Sequence, residues 1–244
     1  MSRRVYSAEP IAPDGIARIG DAEAHHLLHV LRVRAGDELT LFDGRGGEFR
    51  GEVVGVSRRE VEVRVGPRLA IERELAGELV LAAPLPKGDR TRWLVEKAVE
   101  LGVARLVPLA TARSEAPSKG GEKLDRYVIE ASKQCGRNRL MELAPVRSWR
   151  EWLAAGPGDD GVDATPDAVR WIAHPGGAPL AEAARPTHAR AWLAVGPEGG
   201  FADEEIADAR DAGWQIVDLG ERILRLETAA AALVTAATLL ARRP

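Results

Sequence analysis

Cysteine is nearly absent: Cys135 is the single one among 244 residues, so no disulfide can form within the chain. No apolar run approaches the about 18 residues that a membrane-crossing helix needs. The opening Met1-Ser2-Arg3-Arg4-Val5-Tyr6 lacks the apolar core of a secretory signal. A soluble, cytoplasmic chain without a membrane partner is therefore expected. Charge of one sign is not in excess either, since 34 Lys and Arg face 37 Asp and Glu for a net −3. That balance excludes a generally basic nucleic-acid binder but leaves room for a local patch. Internal repeats and low-complexity tails are missing too. What is present, 45% hydrophobic and 29% charged residues, excludes a disordered or collagen-like chain. The length suits one large domain or two small ones.

The pattern changes along the chain. The first 70 or so residues read as β-rich. Glu60 to Val65 alternates strictly, with three valines on one face. Leu39–Phe42 and Val53–Val56 are further strands, and Asp43-Gly44-Arg45-Gly46-Gly47 reads as a hairpin turn before the second. Close-spaced short strands predict a small barrel. Asp21–Leu31 interrupts it with helical spacing and Asp21 as the expected N-cap. From about residue 73, strands and helices alternate. The strands are Glu78–Ala83, Arg105–Leu109, Val169–Ala173, Ala191–Val195 and Gln215–Leu219. The helices are Thr91–Leu101, Glu122–Arg139, Asp203–Ala212 and Leu226–Ala241, and Gly156–Pro166 reads as an exposed loop. This order predicts an α/β domain with a mostly parallel sheet covered on both faces. The expected division is 1–72 and 73–244.

Chemistry concentrates in two loops. Val195-Gly196-Pro197-Glu198-Gly199-Gly200-Phe201 follows a buried strand and precedes a helix with Asp203 as its expected N-cap. Its glycines allow a tight turn and close approach of backbone to a ligand. The spacing is not that of a dinucleotide loop, and no Gly-Lys-Ser/Thr follows as in a phosphate loop. A plain strand-to-helix turn is the other reading of a short glycine cluster. The second loop, Leu219-Gly220-Glu221-Arg222-Ile223-Leu224-Arg225-Leu226-Glu227-Thr228-Ala229, joins the last strand to the last helix. Arg225 and Glu227 taken alone are an ordinary surface pair. Two such loops at carboxyl ends of strands mark a ligand site in open α/β sheets.

His25 and His29 stand at i, i+4, but no H-E-x-x-H pattern or nearby cysteine accompanies them, so no metal site is expected. Cys135 has no catalytic His grouping and reads as a small packed residue. Trp93, Trp171 and Trp192 read as core.

These loops resemble the 16S ribosomal RNA uridine-N3 methyltransferase family, of the SPOUT class of trefoil-knotted methyltransferases. The resemblance rests on Gly196–Phe201, Leu219-Gly220 and Ile223-Leu224-Arg225-x-Glu227-Thr228-Ala229. Further segments match in order: His26–Asp37, Lys87-Gly88-Asp89, Glu96–Val103, Arg113-Ser114 and Glu130–Arg137. Cys135 stands where a serine is expected and Met141 where a proline is expected. The resemblance implies a PUA-like RNA-binding barrel, a knotted C-terminal domain and a homodimer. It implies S-adenosylmethionine as cofactor and N3 of a uridine in the decoding region of the small ribosomal subunit as target. Cofactor contacts then fall to Val195, Gly196, Gly199, Gly200, Leu219, Gly220, Ile223, Leu224 and Thr228.

N3 lies on the pairing edge, so the base must be exposed, its proton removed and the resulting charge stabilised. Arg225 is the candidate for that charge, and Glu198 or Glu227 for the base or for orienting Arg225. RNA contacts are expected from Arg32, Arg34, Lys87, Arg113, Gln134 and Arg137, with Arg3, Arg4, Arg45, Arg58, Arg59, Lys133 and Arg139 adding charge. Two other readings stand beside this one. One is a related knotted methyltransferase acting on tRNA or a ribose 2′-hydroxyl. The other is a catalytically silent RNA-binding protein of the ribosome.

Overall fold

The computed structural model describes residues 3–115, 121–155, 168–183 and 191–241. The chain forms two compact units, Met1–Glu74 with Ile129–Leu140, and Leu75–Val128 with Met141–Pro244.

The first unit is a curled five-stranded sheet. Its strands are β1 (Arg4–Tyr6), β2 (Ile16–Ile19), β3 (Glu38–Phe42), β4 (Phe49–Val56) and β5 (Val61–Arg68), ordered β1-β3-β4-β5-β2. The β3–β4 pair is antiparallel, so the Asp43–Gly47 segment does turn a hairpin. Val61, Val63 and Val65 are buried, as their alternation predicts. Gly51 is required where β4 crosses this layer, because a Cβ there would stand 2.5 Å from Val63 Cγ1. β1 and β2 were not legible, being three and four residues long. The Asp21–Leu31 helix forms as α1 (Asp21–His25) followed by a π-helical turn, His26–Val30. Asp21 is not its N-cap. Gly20 takes that place, and Asp21 sits inside the first turn at φ +49°.

Residues 129–140 come from far along the chain yet pack with the first unit. Charged side chains account for this. Lys133 Nζ reaches Glu23 Oε1 at 2.8 Å, and Arg137 Nη2 reaches Glu74 Oε2 at 2.8 Å. Arg4 Nη2 donates to Asn138 Oδ1 at 2.5 Å and to the Arg137 carbonyl at 2.8 Å. At the centre, the buried Glu48 carboxylate accepts from Arg4 Nη1 at 2.5 Å and Arg73 Nη1 at 2.8 Å. The helix expected to run to Arg139 stops at Cys135 because Gly136 turns to φ +85°.

The second unit holds a sheet in the order β12-β10-β11-β6-β7-β8, with β9 beside β7. Its strands are β6 (Leu79–Ala83), β7 (Arg105–Ala110), β8 (Glu142–Leu143), β9 (Arg147–Ser148), β10 (Val169–Pro179), β11 (Ala191–Val195) and β12 (Gln215–Asp218). All pairings among these described strands are parallel. Every residue of β6 and β11 is buried, as a sheet covered on both faces requires. The helices that begin in this unit are α2 (Asp89–Glu100), α3 (Glu122–Cys135, counted with the first unit from Ile129 on), α4 (Trp149–Ala155), α5 (Asp203–Asp211) and α6 (Leu226–Ala241). α2 buries Thr91, Leu94, Val95, Ala98 and Val99, a stripe of helical period, and packs against α6. Its Trp93 points outward instead of into the core at 39% exposure, while Trp171 and Trp192 are buried as expected. The expected loop Gly156–Pro166 lies outside the described residues. No described helix is long and apolar enough to cross a membrane.

Burial pushes the Glu48 carboxyl up, and the Arg73 and Arg4 guanidiniums outweigh it, leaving the group below its ordinary value. A lowered acid contributes stability above its unfolded pKa and loses it as pH falls through the folded one. Glu48→Gln should therefore cost about 3 kcal/mol at neutral pH, read by urea denaturation. The gap to the parent protein should close as pH drops below about 4.

Candidate functional site

Parallel strands end at one edge of their sheet, and β10 stands between β11 and β12. Three loops therefore meet where the sequence analysis anticipated two. Together they line a cleft of about 640 Å³, its open mouth included.

The first wall interrupts β10. Ala173, His174 and Pro175 line the cleft, and pairing with β12 shifts register between Ala173 and Ala178. Gly177 lies so close to β12 that a Cβ would stand 2.6 Å from the Ile216 carbonyl oxygen. The sequence signal for this wall is the run His174-Pro175-Gly176-Gly177 directly after an apolar strand, a turn composition.

The second wall is the glycine loop after β11. Val195, Gly196, Pro197, Glu198, Gly200 and Phe201 line the cleft. Gly200 adopts φ +68° and its N–H donates to the Pro197 carbonyl at 2.8 Å. Gly196 has to be small, since a Cβ would meet the buried Phe201 ring at 3.0 Å. Gly199 faces away from the cleft. Its carbonyl accepts from Arg113 Nη1 at 2.9 Å, which also reaches the Phe201 carbonyl at 3.3 Å. Helix α5 then begins on Ala202 rather than on the expected Asp203 cap. The Glu205 carboxylate accepts from the Ala202 N–H and from the Ala112 N–H, both at 2.8 Å, tying this loop to the end of β7.

The third wall follows β12. Asp218, Leu219, Gly220, Arg222, Ile223 and Leu224 line the cleft, with Leu226 and Ala229 of α6 behind them. Gly220 adopts φ +114°. Asp218 holds two walls together, accepting from the Gly176 N–H at 3.0 Å and the Gly220 N–H at 2.8 Å. Those two backbone donors keep its carboxyl below the ordinary value. Ile223 is 93% exposed, an apolar side chain standing at the rim. Thr228 lies outside the cleft, exposed on α6.

The two carboxylates expected near Arg225 are hydrogen-bonded to a different cation. Arg90, in the first turn of α2, donates from Nε to Glu227 Oε1 at 2.9 Å and from Nη2 to Glu227 Oε2 at 2.6 Å. Its Nη1 lies 2.5 Å from Glu198 Oε1. The Arg90 fork holds the Glu227 carboxyl below the ordinary range. The Glu198 carboxyl is held low by its own backbone N–H and by Arg90. Both are committed carboxylates and poor proton acceptors. Arg225 is exposed and acts on Glu227 only through charge. Arg90 directly follows the Lys87-Gly88-Asp89 segment, but nothing in the sequence says which acids it meets.

The expected RNA contacts divide. Arg32, Arg34, Lys87, Arg113 and Gln134 are exposed, Arg32 at φ +53° at the end of the π-helical turn. Lys87 pairs with Glu115 at 2.5 Å. Arg137 does not fit the role, because it is 5% exposed and its guanidinium is committed to Glu74. The His25 and His29 rings touch in a tilted arrangement, with centroids 4.5 Å apart and planes 44° to each other. No group of three metal-ligating side chains occurs among the described residues.

Residues 73–238 match the RNA methyltransferase domain family, and residues 19–66 match the RNA methyltransferase PUA domain family. The chain is 32% identical to the ribosomal RNA small subunit methyltransferase E of Synechocystis, over 94% of this chain and 75% of that protein. It is 28% identical to the protein of the same name from Bacillus subtilis, over 85% of this chain and 83% of that protein. Among solved structures, the ribosomal RNA small subunit methyltransferase E of Neisseria gonorrhoeae, bound to S-adenosyl methionine, superposes with a TM-score of 0.88. It is 29% identical, with 98% of each chain covered. A methyltransferase from Legionella pneumophila in complex with the same cofactor gives 0.82, at 30% identity over 98% of this chain and 97% of that one.

Gly177→Ala should lower the free energy of unfolding by about 1–3 kcal/mol in urea denaturation, because backbone has to shift to admit the methyl group. Gly176→Ala meets open space and carries only its φ of +79°, so it should cost about 1 kcal/mol.

Proposed function

The chain belongs to the RNA methyltransferase family that matches its residues 73–238, and from that premise we propose that it methylates N3 of a uridine in the decoding region of 16S ribosomal RNA. S-adenosylmethionine is the methyl donor, and the small ribosomal subunit is the partner. The observation that carries the reading is the three-loop cleft, formed by the chain's own glycine loops, in a chain that superposes on relatives solved with that cofactor. The finer expectations, a knotted C-terminal domain and a homodimer, belong to the same proposal.

The residues fit the cofactor. A Cβ at Gly200 or Gly220 would meet nothing within 4 Å, so a ligand can approach the backbone there. Ile223 and Leu224 present apolar surface on which a purine ring can be buried. Backbone groups at Gly196, Gly200, Leu219 and Gly220 are the polar partners for adenine and ribose, and Val195 closes the floor. When bound, S-adenosylmethionine supplies an electrophilic methyl carbon.

Arg225 lies between two cleft residues, Leu224 and Leu226, and forms no ion pair within 4 Å among the described residues. Its guanidinium is available to the uracil, where loss of the N3 proton leaves charge on the flanking carbonyl oxygens. Glu198 and Glu227 are bound to Arg90 and held as carboxylates of low basicity, which makes them poor acceptors of that proton. Their part is to hold the loops.

RNA is held by exposed cations on each unit: Arg32 and Arg34, with Gln134, on the first, Lys87 and Arg113 on the second. Arginine suits phosphate contact and base stacking.

Labelled methyl transfer to unmodified small subunits, with digestion to locate the product, tests the reading. A product on a ribose hydroxyl would support the 2′-O alternative. No calorimetric binding of S-adenosylmethionine would support the silent RNA-binding alternative. Arg225→Ala should lower kcat by about 10²–10³ while leaving cofactor affinity nearly unchanged. Equal turnover removes Arg225 from the mechanism. Binding to ribosomal RNA should weaken steeply with salt, and Arg32→Ala should reduce the salt slope by about 1.

A further inference from the structure

We propose that Arg90 is the positioning residue of the cofactor cleft, clamping the glycine loop to the start of α6 through Glu198 and Glu227. The inference rests on the cofactor reading above and assigns a residue that touches neither cofactor nor uracil.

Arg90 uses its whole guanidinium in this contact. Nε and Nη2 form a two-pronged fork on Glu227, at 2.9 and 2.6 Å, and Nη1 reaches Glu198 at 2.5 Å. The three side chains come from three separate segments: the first turn of α2, the loop after β11 and the first turn of α6. Two of these segments wall the cleft. Glu198 itself lines it, and Glu227 lies between the lining residues Leu226 and Ala229. Arg90 stands behind both walls, on a helix that packs against α6.

The contact differs from an ordinary surface ion pair, which holds little in place. The Glu227 side chain is only 10% exposed, so its charge is expensive to leave without a cation. Two hydrogen bonds in one plane also fix its orientation, which a single point charge cannot do. Glu198, at 56% exposure, is the solvent-facing arm of the clamp and the one whose loss disturbs folding least. The charge pattern supports a mechanical role. One cation shared by two acids keeps both carboxylates ionised and turned toward α2, leaving Arg225 free for substrate. Lysine could supply the charge but not the planar fork, so it should satisfy one acid and release the other.

The test uses the full chain with ribosomal RNA as substrate and compares Arg90→Met, Arg90→Lys and Glu198→Gln. Measured quantities are the calorimetric Kd for S-adenosylmethionine, the KM for RNA, kcat and the melting temperature. A clamp predicts that Arg90→Met weakens cofactor binding by about 10- to 100-fold with the KM for RNA unchanged, because misplaced walls forfeit pre-paid orientation. Arg90→Lys should recover part of that loss. Glu198→Gln should weaken the cofactor several-fold without moving the melting temperature, which keeps the proposal testable if Arg90→Met does not fold. Unchanged cofactor affinity in folded Arg90→Met, or in Glu198→Gln, overturns the clamp. If the parent protein itself does not bind S-adenosylmethionine, the reading of the cleft fails first, and that outcome is distinct.

Discussion

Parallel strands deliver their carboxyl ends to one edge, and in the second unit this constraint decides where chemistry can occur. β10 pairs with β11 on one side and β12 on the other, each in parallel register. Three loops widely separated in sequence are thereby forced into one place. Their backbone conformations follow from crowding: glycine at 177 where β10 presses on β12, glycine at 196 beneath the Phe201 ring, positive φ at Gly200 and Gly220. Asp218 and Arg90 then join the walls by hydrogen bonds that no single loop could make for itself.

Buried and half-buried acids organise the arginines of both units. Glu48 collects Arg4 and Arg73, Glu74 takes Arg137, and Glu227 takes Arg90. Each pairing commits a guanidinium to tertiary structure, and Arg4 and Arg137 leave the surface altogether. A net charge of −3 is therefore compatible with RNA as partner. The relevant quantity is the set of cations left exposed, such as Arg32, Arg34 and Arg113, not the total.

Strongly periodic segments were legible from the residues alone. The alternation over Val61–Val65 and the apolar runs at Ala191–Val195 and Leu226–Ala241 carry their secondary structure locally, and the boundaries of the last two match to the residue. β1, β2 and α4 were missed because each is short and owes its form to neighbours rather than to period. The end of α3 at Cys135 was missed although Gly136 stood next to it, because a helical period outweighed one glycine. Within the site, the glycine-bearing loops could be found by composition. The partners of their acids could not, since Arg90 is 108 residues from Glu198 and 137 from Glu227, and nothing local links them.

By itself the sequence determined the two kinds of fold, the two loops that carry glycine at strand ends and, through an ordered set of segments, the family. Those properties are written in local period and composition, and they persist whatever the rest of the chain does. Tertiary structure decided the rest: that a third loop completes the cleft, that residues 129–140 join the first unit, and that Glu198 and Glu227 answer to Arg90. Pairing of strands and burial of charge are long-range events. Their energies depend on which groups meet away from water, and that is known only once the sheet is assembled.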